Sequence, residues 1–259
     1  MSFNVETILF YLLIFVRISG IVFFLPIFGD SPTPIRVRIL LFFALCLAVA
    51  GMIPFDMSGI NSSYTSVLSC SFIIFKELLI GAFIGYIAKM AFAGLTMSAS
   101  IVGYPMGFGV SSILAPDASQ SMDAFTTMNR IIMIMIFLGL GLHEMFIQAI
   151  VSSFELIPIS KGIFNTEVSS VIISVSAGIF VVAMQLAAPI LIALLFTMAA
   201  LGLMARTVPQ MNVFTLSFPV SFFVGMFIYI ATLPFYPGWI ETYFYDISQD
   251  ILSALKSFM

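Results

Sequence analysis

The chain has 259 residues, of which 61% are hydrophobic and 8% are charged, and its formal net charge is −3 at pH 7. Soluble domains carry about 25% charged residues, so this composition indicates a membrane protein. The nine Lys and Arg residues are too few for the clustered basic face that binds DNA or RNA, so we expect no nucleic acid partner.

Motifs of common catalytic and cofactor sites are missing from the sequence. It has no Walker-type glycine loop and no HExxH or GxSxG motif. His143 is the single histidine, and Cys46 and Cys70 lie in apolar runs, where a free thiol usually packs as a small hydrophobe. We therefore expect neither an enzyme nor a metal or nucleotide cofactor.

Apolar runs of about 20 residues, the length that crosses about 30 Å of hydrocarbon as a helix, follow one another along the chain. They predict an all-α integral membrane-type protein, with long kinked helices and helical hairpins in a single helical domain over residues 1–259. The predicted hydrophobic segments are Ile8 to Phe28, Ile39 to Pro54, Val67 to Val102, Ile131 to Val151, Val168 to Ala205 and Val213 to Pro234.

Charged residues interrupt the first, third and fourth segments. Arg17 could be a gating charge, since intramembrane charges are functional candidates, but we favour a structural pair with a carboxylate on this or another chain. Lys76 and Glu77 are adjacent and do not face each other on a helix, so we expect them to find different partners. Glu144 follows His143, which suggests a proton relay, but a single histidine makes a structural role the better interpretation.

The fifth segment is too long for one membrane crossing. It holds 38 residues without a charge, and a straight helix of that length would span about 57 Å. Pro189 lies near its middle and removes a backbone donor. We therefore expect a kink or break at Pro189, with a hairpin of two shorter arms as one outcome.

The polar run "RTVPQMNVF", residues 206–214, separates the last two hydrophobic segments. Pro209 stops a helix, and Asn212 can cap the next one through its side-chain oxygen. Arg206 and Gln210 can bond backbone carbonyls that hydrocarbon would leave unpaired. A rigid structural turn is therefore favoured over a ligand site.

After this turn, the tail over residues 238–259 repeats apolar residues at spacings of three and four, which predicts an amphipathic helix. The sequence leaves open whether this helix lies on a membrane surface or docks on a partner. Its apolar positions are Phe244, Ile247, Ile251, Leu255 and Phe258.

Two stretches carry a resemblance to a known family. The opening "RISGIVFFLPIFGDSPTPIRVRI" and the long run "APILIALLFTMAALGLMARTVPQMNVF" resemble the FliR family, a flagellar export-gate subunit whose counterpart in virulence type III secretion is called SctT. The resemblance runs nearly end to end. In the opening stretch it rests on Arg17, Pro26, Gly29, Pro34 and Arg38.

The resemblance implies one copy of an all-helical, non-enzymatic subunit that assembles with FliP-like, FliQ-like and FlhB-like subunits. Together they would form a closed conduit for unfolded export substrates across the bacterial inner membrane, in the flagellar basal body. Part of the assembly would lie above the membrane plane, on the periplasmic side, and the rest would contact lipid. The alternatives are a virulence type III secretion gate subunit and, less favoured, a small secondary transporter.

The resemblance also implies roles for particular residues. A central loop over residues 103–129 becomes a plug, because mobile glycines there carry soft apolar side chains. Its pore candidates are Gly103, Pro105, Met106, Gly107, Phe108, Gly109 and Met122. The assembly or structural candidates are Arg17, Pro26, Gly29, Pro34, Arg38, Lys76, Glu77, Glu144, Pro189, Arg206, Pro209, Gln210 and Asn212.

Overall fold

The computed structural model describes residues 5–24, 34–53, 67–108, 124–159, 167–208, 210 and 212–257. Within those ranges every secondary-structure element is a helix, which confirms the all-α prediction. The α-helices are α1 (Val5–Phe24), α2 (Ile35–Met52), α3 (Val67–Gly103), α4 (Ala124–Gly139), α5 (Leu142–Leu156), α6 (Glu167–Thr207), α7 (Val213–Thr232) and α8 (Tyr236–Ser257), with a 3-10 turn at Leu233–Phe235 between the last two.

The lengths and hydropathies of these helices confirm a membrane-type protein. In the described ranges, five stretches are long and apolar enough to cross a membrane, and a sixth is added if α4 and α5 count as one bent span. The last stretch continues from α7 into α8, over Thr215–Ser253. The predicted count of about six hydrophobic segments is therefore confirmed.

The fourth predicted segment, Ile131 to Val151, is wrong as one continuous element. The chain turns at Leu140 and Gly141 and forms two helices, α4 and α5, instead. Gly141 has a φ of 70°, in the left-handed region that a glycine adopts without steric cost. This backbone conformation separates α4 from α5, although the sequences on both sides of Gly141 are apolar.

The predicted break of the fifth segment into a hairpin is also wrong, because α6 is one helix of 41 residues that runs through Pro189. The buried face of α6 continues on both sides of the proline, with Leu186 and Ala187 before it and Ile190 and Leu194 after it. Proline is tolerated in apolar helices where neighbouring groups compensate the lost backbone bond. Packing on both sides therefore keeps α6 in one piece.

The chain divides into two compact units. The first unit contains Met1–Ala91, Gly141–Val175 and Tyr243–Met259, and the second contains Phe92–Leu140 and Ser176–Thr242. Each unit is therefore built from segments far apart in sequence. The description of residues 1–259 as one helical domain stays a prediction.

In the first unit, glycines let the backbones of α1 and α3 meet. A Cβ atom at Gly85 would lie 2.6 Å from the Ile21 carbonyl oxygen, and one at Gly20 would lie 2.8 Å from the Ala82 nitrogen. Small residues spaced four apart, as at Gly81 and Gly85, permit such close helix packing in apolar surroundings.

The end of α8 completes the first unit. Four of its predicted apolar positions are buried, as expected for an amphipathic tail, and the fifth, Phe258, lies outside the described residues. Phe244 contacts Phe146 of α5, with their ring centroids 5.9 Å apart. The apolar face of the tail is therefore covered by this chain itself. The buried positions are Phe244, Ile247, Ile251 and Leu255.

The second unit is formed by the end of α3, α4, most of α6, α7 and the start of α8. Phe92 of α3 and Phe137 of α4 meet edge to face, with ring centroids 5.0 Å apart. Residues 124–129, placed by the sequence in the central loop, belong to helix α4. The segment between α3 and α4 is thus shorter than the predicted range 103–129.

Candidate functional site

A tight turn, residues 104–108, follows the last residue of α3 in the second unit. The Gly107 amide donates to the Tyr104 carbonyl over 3.1 Å, and the Phe108 amide donates to the Gly103 carbonyl over 3.1 Å. Gly107 has a φ of 97°, which strongly favours glycine at this position. We call residues 104–108 the Met-Gly-Phe turn.

The turn points two large apolar side chains into the second unit. Met106 is 2% exposed and lies against Gly225 of α7. Phe108 stacks on Phe125 of α4, with ring centroids 5.5 Å apart and ring planes 23° apart. Its ring also lies 5.6 Å from that of Phe222 on α7. The turn is thus held by soft, nonpolar contacts.

An open cleft lies beside the turn, with a volume of about 390 Å³. Among the described residues its lining carries no charged side chain, so this part of the cleft can accommodate apolar groups. The lining residues are Met106, Gly107, Phe108, Phe218, Pro219, Phe222 and Phe223.

The structure brings most of the predicted pore candidates together in this turn. Gly103 is buried at the end of α3, and Pro105 is half-buried beside Met106, Gly107 and Phe108. The candidates Gly109 and Met122 lie outside the described residues. Their role in the pore, like that of the turn itself, stays a prediction.

Behind the turn, two buried polar side chains join three helices. The Tyr229 hydroxyl of α7 donates to Asn129 Oδ1 of α4 over 2.9 Å, and Asn129 Nδ2 donates to the Leu95 carbonyl of α3 over 3.3 Å. The Tyr229 ring meets Phe125 edge to face at 5.1 Å. A polar pair therefore supports the aromatic residue on which Phe108 stacks.

The first unit contains a buried ion pair. Arg17 of α1 is 0% exposed and Glu77 of α3 is 1% exposed, and Arg17 Nε donates to Glu77 Oε2 over 2.6 Å. The rest of the guanidinium donates to the Ser153 and Ile157 carbonyls at the end of α5, over 2.9 and 3.0 Å. It also lies 4.2 Å from the centre of the Phe154 ring. One side chain thus links three helices.

Arg17 and Glu77 form a buried structural pair, which is the interpretation of Arg17 that the sequence favoured. The partner carboxylate lies on the same chain, and the remaining guanidinium donors go to backbone carbonyls at the end of α5, where the Ser153 carbonyl also accepts from the Ile157 amide. Lys76, next to Glu77, is half-buried with its Nζ 5.3 Å from the centre of the Phe72 ring. The adjacent charges thus have different surroundings, as the helical geometry predicts.

Several other candidates lie on the surface of the chain. Asn212 forms the predicted cap of α7, where its Oδ1 accepts from the Thr215 amide over 3.3 Å. Pro26, Gly29 and Pro209 lie outside the described residues, as does the side chain of Arg38. The exposed candidates are Pro34, Glu144, Pro189, Arg206 and Gln210.

The residues that sequence reasoning missed are Gly225, Asn129, Tyr229 and Phe125. Gly225 lies inside an apolar helix, where a glycine lowers stability. Its presence there could have indicated a close packing contact at this position. Asn129 and Tyr229 are polar groups in apolar helices, and such groups need buried partners. In the described ranges, no cluster of three or more His, Cys, Asp or Glu residues could hold a metal ion.

The sequence matches a known protein family over most of its length. The model of the family described as "Bacterial export proteins, family 1" matches residues 8–247. The chain belongs to this family. The resemblance to FliR is thereby confirmed, and this FliR-type protein is a membrane protein of bacterial export.

Curated relatives agree with that assignment. The chain is 28% identical to "Flagellar biosynthetic protein FliR" of Pectobacterium carotovorum subsp. carotovorum over 94% of its own length and 92% of the relative's. It is 29% identical to the FliR of Bacillus subtilis (strain 168), over 86% and 85% of the two chains. It is 27% identical to that of Aquifex aeolicus (strain VF5), over 98% and 96%.

Proposed function

We propose that this FliR-type chain is a non-enzymatic subunit of the flagellar protein export gate. One copy assembles with FliP-like, FliQ-like and FlhB-like subunits into a closed conduit for unfolded export substrates across the bacterial inner membrane. The observation that carries the proposal is the family match over residues 8–247, joined to relatives that bear a flagellar name.

The dimensions of α6 support an assembly that extends beyond the bilayer. A helix of 41 residues, if straight, would be about 61 Å long, twice the roughly 30 Å hydrocarbon thickness. Large apolar side chains are exposed near both of its ends, at Ile173 and Leu203. Lipid cannot cover an apolar surface of that length, which supports the proposal that protein partners cover part of it and that part of the chain lies above the membrane plane. The periplasmic side is the one that the resemblance to FliR implies.

The Met-Gly-Phe turn supports a role as part of the plug. Its side chains are soft and apolar, so they can seal against ions and yield to a passing polypeptide without breaking charged contacts. The cleft beside it is apolar and open, as a surface that contacts a moving chain requires.

The alternative of a small secondary transporter finds less support. Transporters often bind substrate where two related membrane helices are interrupted. Pro189 was the break that favoured this alternative, and α6 continues through it. The relatives named above are flagellar, so the virulence alternative also has no specific observation in its favour.

Co-purification tests the proposed assembly. The tagged chain should retain FliP-like and FliQ-like subunits in mild detergent, and deletion of the chain should abolish filament export while solute uptake is unchanged. A stable monomer that transports a small solute in liposomes would overturn the proposal.

Shortening the segment from Pro105 to Ser112 tests the plug. The assembled gate should then leak ions in planar bilayers, because the apolar side chains that seal it are removed. Tyr245→Ala serves as the control, since Tyr245 is exposed and lies outside the turn, on α8. Unchanged conductance in the shortened variant, with the complex intact, would exclude the turn as a plug.

A further inference from the structure

One face of α7 contacts the Met-Gly-Phe turn, and the residues that support it, along about three helical turns. Phe218, Phe222, Gly225 and Tyr229 follow one another at spacings of four, three and four, so they lie on the same side of the helix. We call these four residues the α7 stripe. No sequence pattern marked it, because α7 is apolar on all sides.

Each residue of the α7 stripe meets the turn or its support. A Cβ atom at Gly107 would lie 2.9 Å from Phe218, and the Phe222 ring is 5.6 Å from that of Phe108. Tyr229 holds Phe125, on which Phe108 stacks. The stripe is therefore complementary to the turn in shape as well as in polarity.

Gly225 is the deepest point of this contact. A Cβ atom there would lie 2.7, 2.9 and 3.0 Å from the Cγ, Sδ and Cε atoms of Met106. By contrast, a Cβ atom at Gly178 or Gly202, both within α6, would meet no atom of the described residues within 4 Å. The missing side chain at position 225 thus forms the notch that Met106 fills.

We propose that the α7 stripe is the seat that holds the Met-Gly-Phe turn in place, and that Gly225 is the positioning residue that sets how deeply Met106 enters it. The proposal deepens the proposed function, because its effect on gating depends on the turn acting as a plug. The seat itself is a separate claim and can be tested without a gating measurement.

The atoms that crowd Gly225 determine what a substitution would move. They belong to the flexible side chain of Met106 rather than to backbone, so a methyl group at position 225 displaces Met106 and leaves the helices in place. Alanine also favours the helix over glycine, so α7 itself should not be weakened. Gly225→Ala therefore perturbs the seat selectively.

Oxidation of methionine by dilute hydrogen peroxide reports the position of Met106 directly. The purified complex is treated, and sulfoxide at each methionine is followed by peptide mass spectrometry. Met106 is buried in the seat, so it should react slowly in the wild type and about tenfold faster in Gly225→Ala, given the usual gain from burying a methionine side chain. Met135, which is 69% exposed, serves as the internal reference. Gly202→Ala is the matched control and should leave the Met106 rate unchanged.

A second variant keeps the test decisive if Gly225→Ala does not fold. Phe222→Leu removes a ring that contacts Phe108 and adds no bulk, so it should also speed the oxidation of Met106. If Met106 stays protected in a folded Gly225→Ala complex, or if Phe222→Leu leaves its rate unchanged, the seat is overturned.

Ion conductance separates the seat from the plug. Leakage through Gly225→Ala gates together with faster oxidation of Met106 supports both. Faster oxidation without leakage supports the seat and counts against the plug. The pair Gly225→Ala with Met106→Ala should conduct like Met106→Ala alone, because the clash at position 225 acts through the Met106 side chain.

Discussion

Arg17 in the first unit and Met106 in the second are both almost completely buried, but they are held by different forces. Arg17 makes hydrogen bonds of 2.6 to 3.0 Å to Glu77, Ser153 and Ile157. Met106 fills a notch at Gly225, where the surrounding contacts are apolar and aromatic. Displacing Arg17 breaks hydrogen bonds to a charged group, whereas displacing Met106 loses only apolar packing contacts.

The contrast distinguishes two kinds of burial within one chain. Removing one partner from a buried ion pair costs about 3–5 kcal/mol, because the other charge stays buried. Exposing a methionine costs about 1.5–3 kcal/mol, and an aromatic pair adds about 0.5–1.5 kcal/mol. The two costs overlap, so the two residues differ less in the size of the energy than in the kind of contact that is lost, which is charged hydrogen bonds for Arg17 and apolar packing for Met106.

The largest effect is expected from Arg17→Ala. It leaves Glu77 buried without its charged partner and removes the guanidinium donors to the carbonyls of Ser153 and Ile157, so the free energy of unfolding should fall by about 3–5 kcal/mol. Denaturant titration in detergent, followed by circular dichroism, measures this. Arg36→Ala, at an exposed arginine, is the control and should change little. If both variants unfold alike, the ion pair does not stabilise the first unit.

Gly85→Ala should have the next largest effect. The added methyl group meets the Ile21 carbonyl oxygen, which is backbone, so α1 and α3 must separate. A loss of about 1–3 kcal/mol is typical of such overpacking. Gly178→Ala is the matched control, since a Cβ atom there meets no atom within 4 Å in the part of the chain that the structure describes. Thermal unfolding that is equal in the two variants would contradict close packing of α1 on α3.

Tyr229→Phe should weaken the second unit by about 1–2 kcal/mol, because Asn129 loses its hydroxyl donor while both residues stay buried. Hydrogen exchange should become faster at the Phe108 amide, because the position of Phe108 depends on its stacking against Phe125. Adding Asn129→Leu should recover part of the loss, since both polar partners are then apolar. Tyr245→Phe is the control, because Tyr245 is exposed. If exchange at the Phe108 amide stays slow in Tyr229→Phe, the hydrogen bond between Tyr229 and Asn129 does not stabilise the turn.

The smallest effect is expected from Asn212→Ala, which removes the cap of α7 at a cost of about 1 kcal/mol. Exchange of the Thr215 amide should speed up, and less FliP-like and FliQ-like subunit should co-purify while conductance of the assembled gate is unchanged. Asn212→Ser keeps a capping oxygen and should behave like the wild type. We expect the polar turn at residues 206–214 to affect assembly and the plug to affect conductance. An Asn212→Ala gate that assembles fully but leaks ions would contradict this expectation.

Hydropathy was a good guide to the positions of α2, α3 and α7, because a membrane helix needs a continuous apolar run. It failed at Gly141 and Pro189 for opposite reasons. Gly141 ends a helix inside an apolar run through its backbone conformation, and Pro189 leaves a helix intact because packing continues on both sides of it. In both places the outcome depends on contacts and dihedral angles that hydropathy does not encode.

The sequence by itself determined the all-helical membrane class, the amphipathic tail, the cap at Asn212 and membership in the export family. Each of these depends on local periodicity or on a contiguous motif. Only the tertiary structure decided that Arg17 pairs with Glu77 and that Gly225 receives Met106, residues 60 and 119 positions apart in the printed sequence. Such partners are chosen by the packing of helices, and no local pattern records which buried groups will meet.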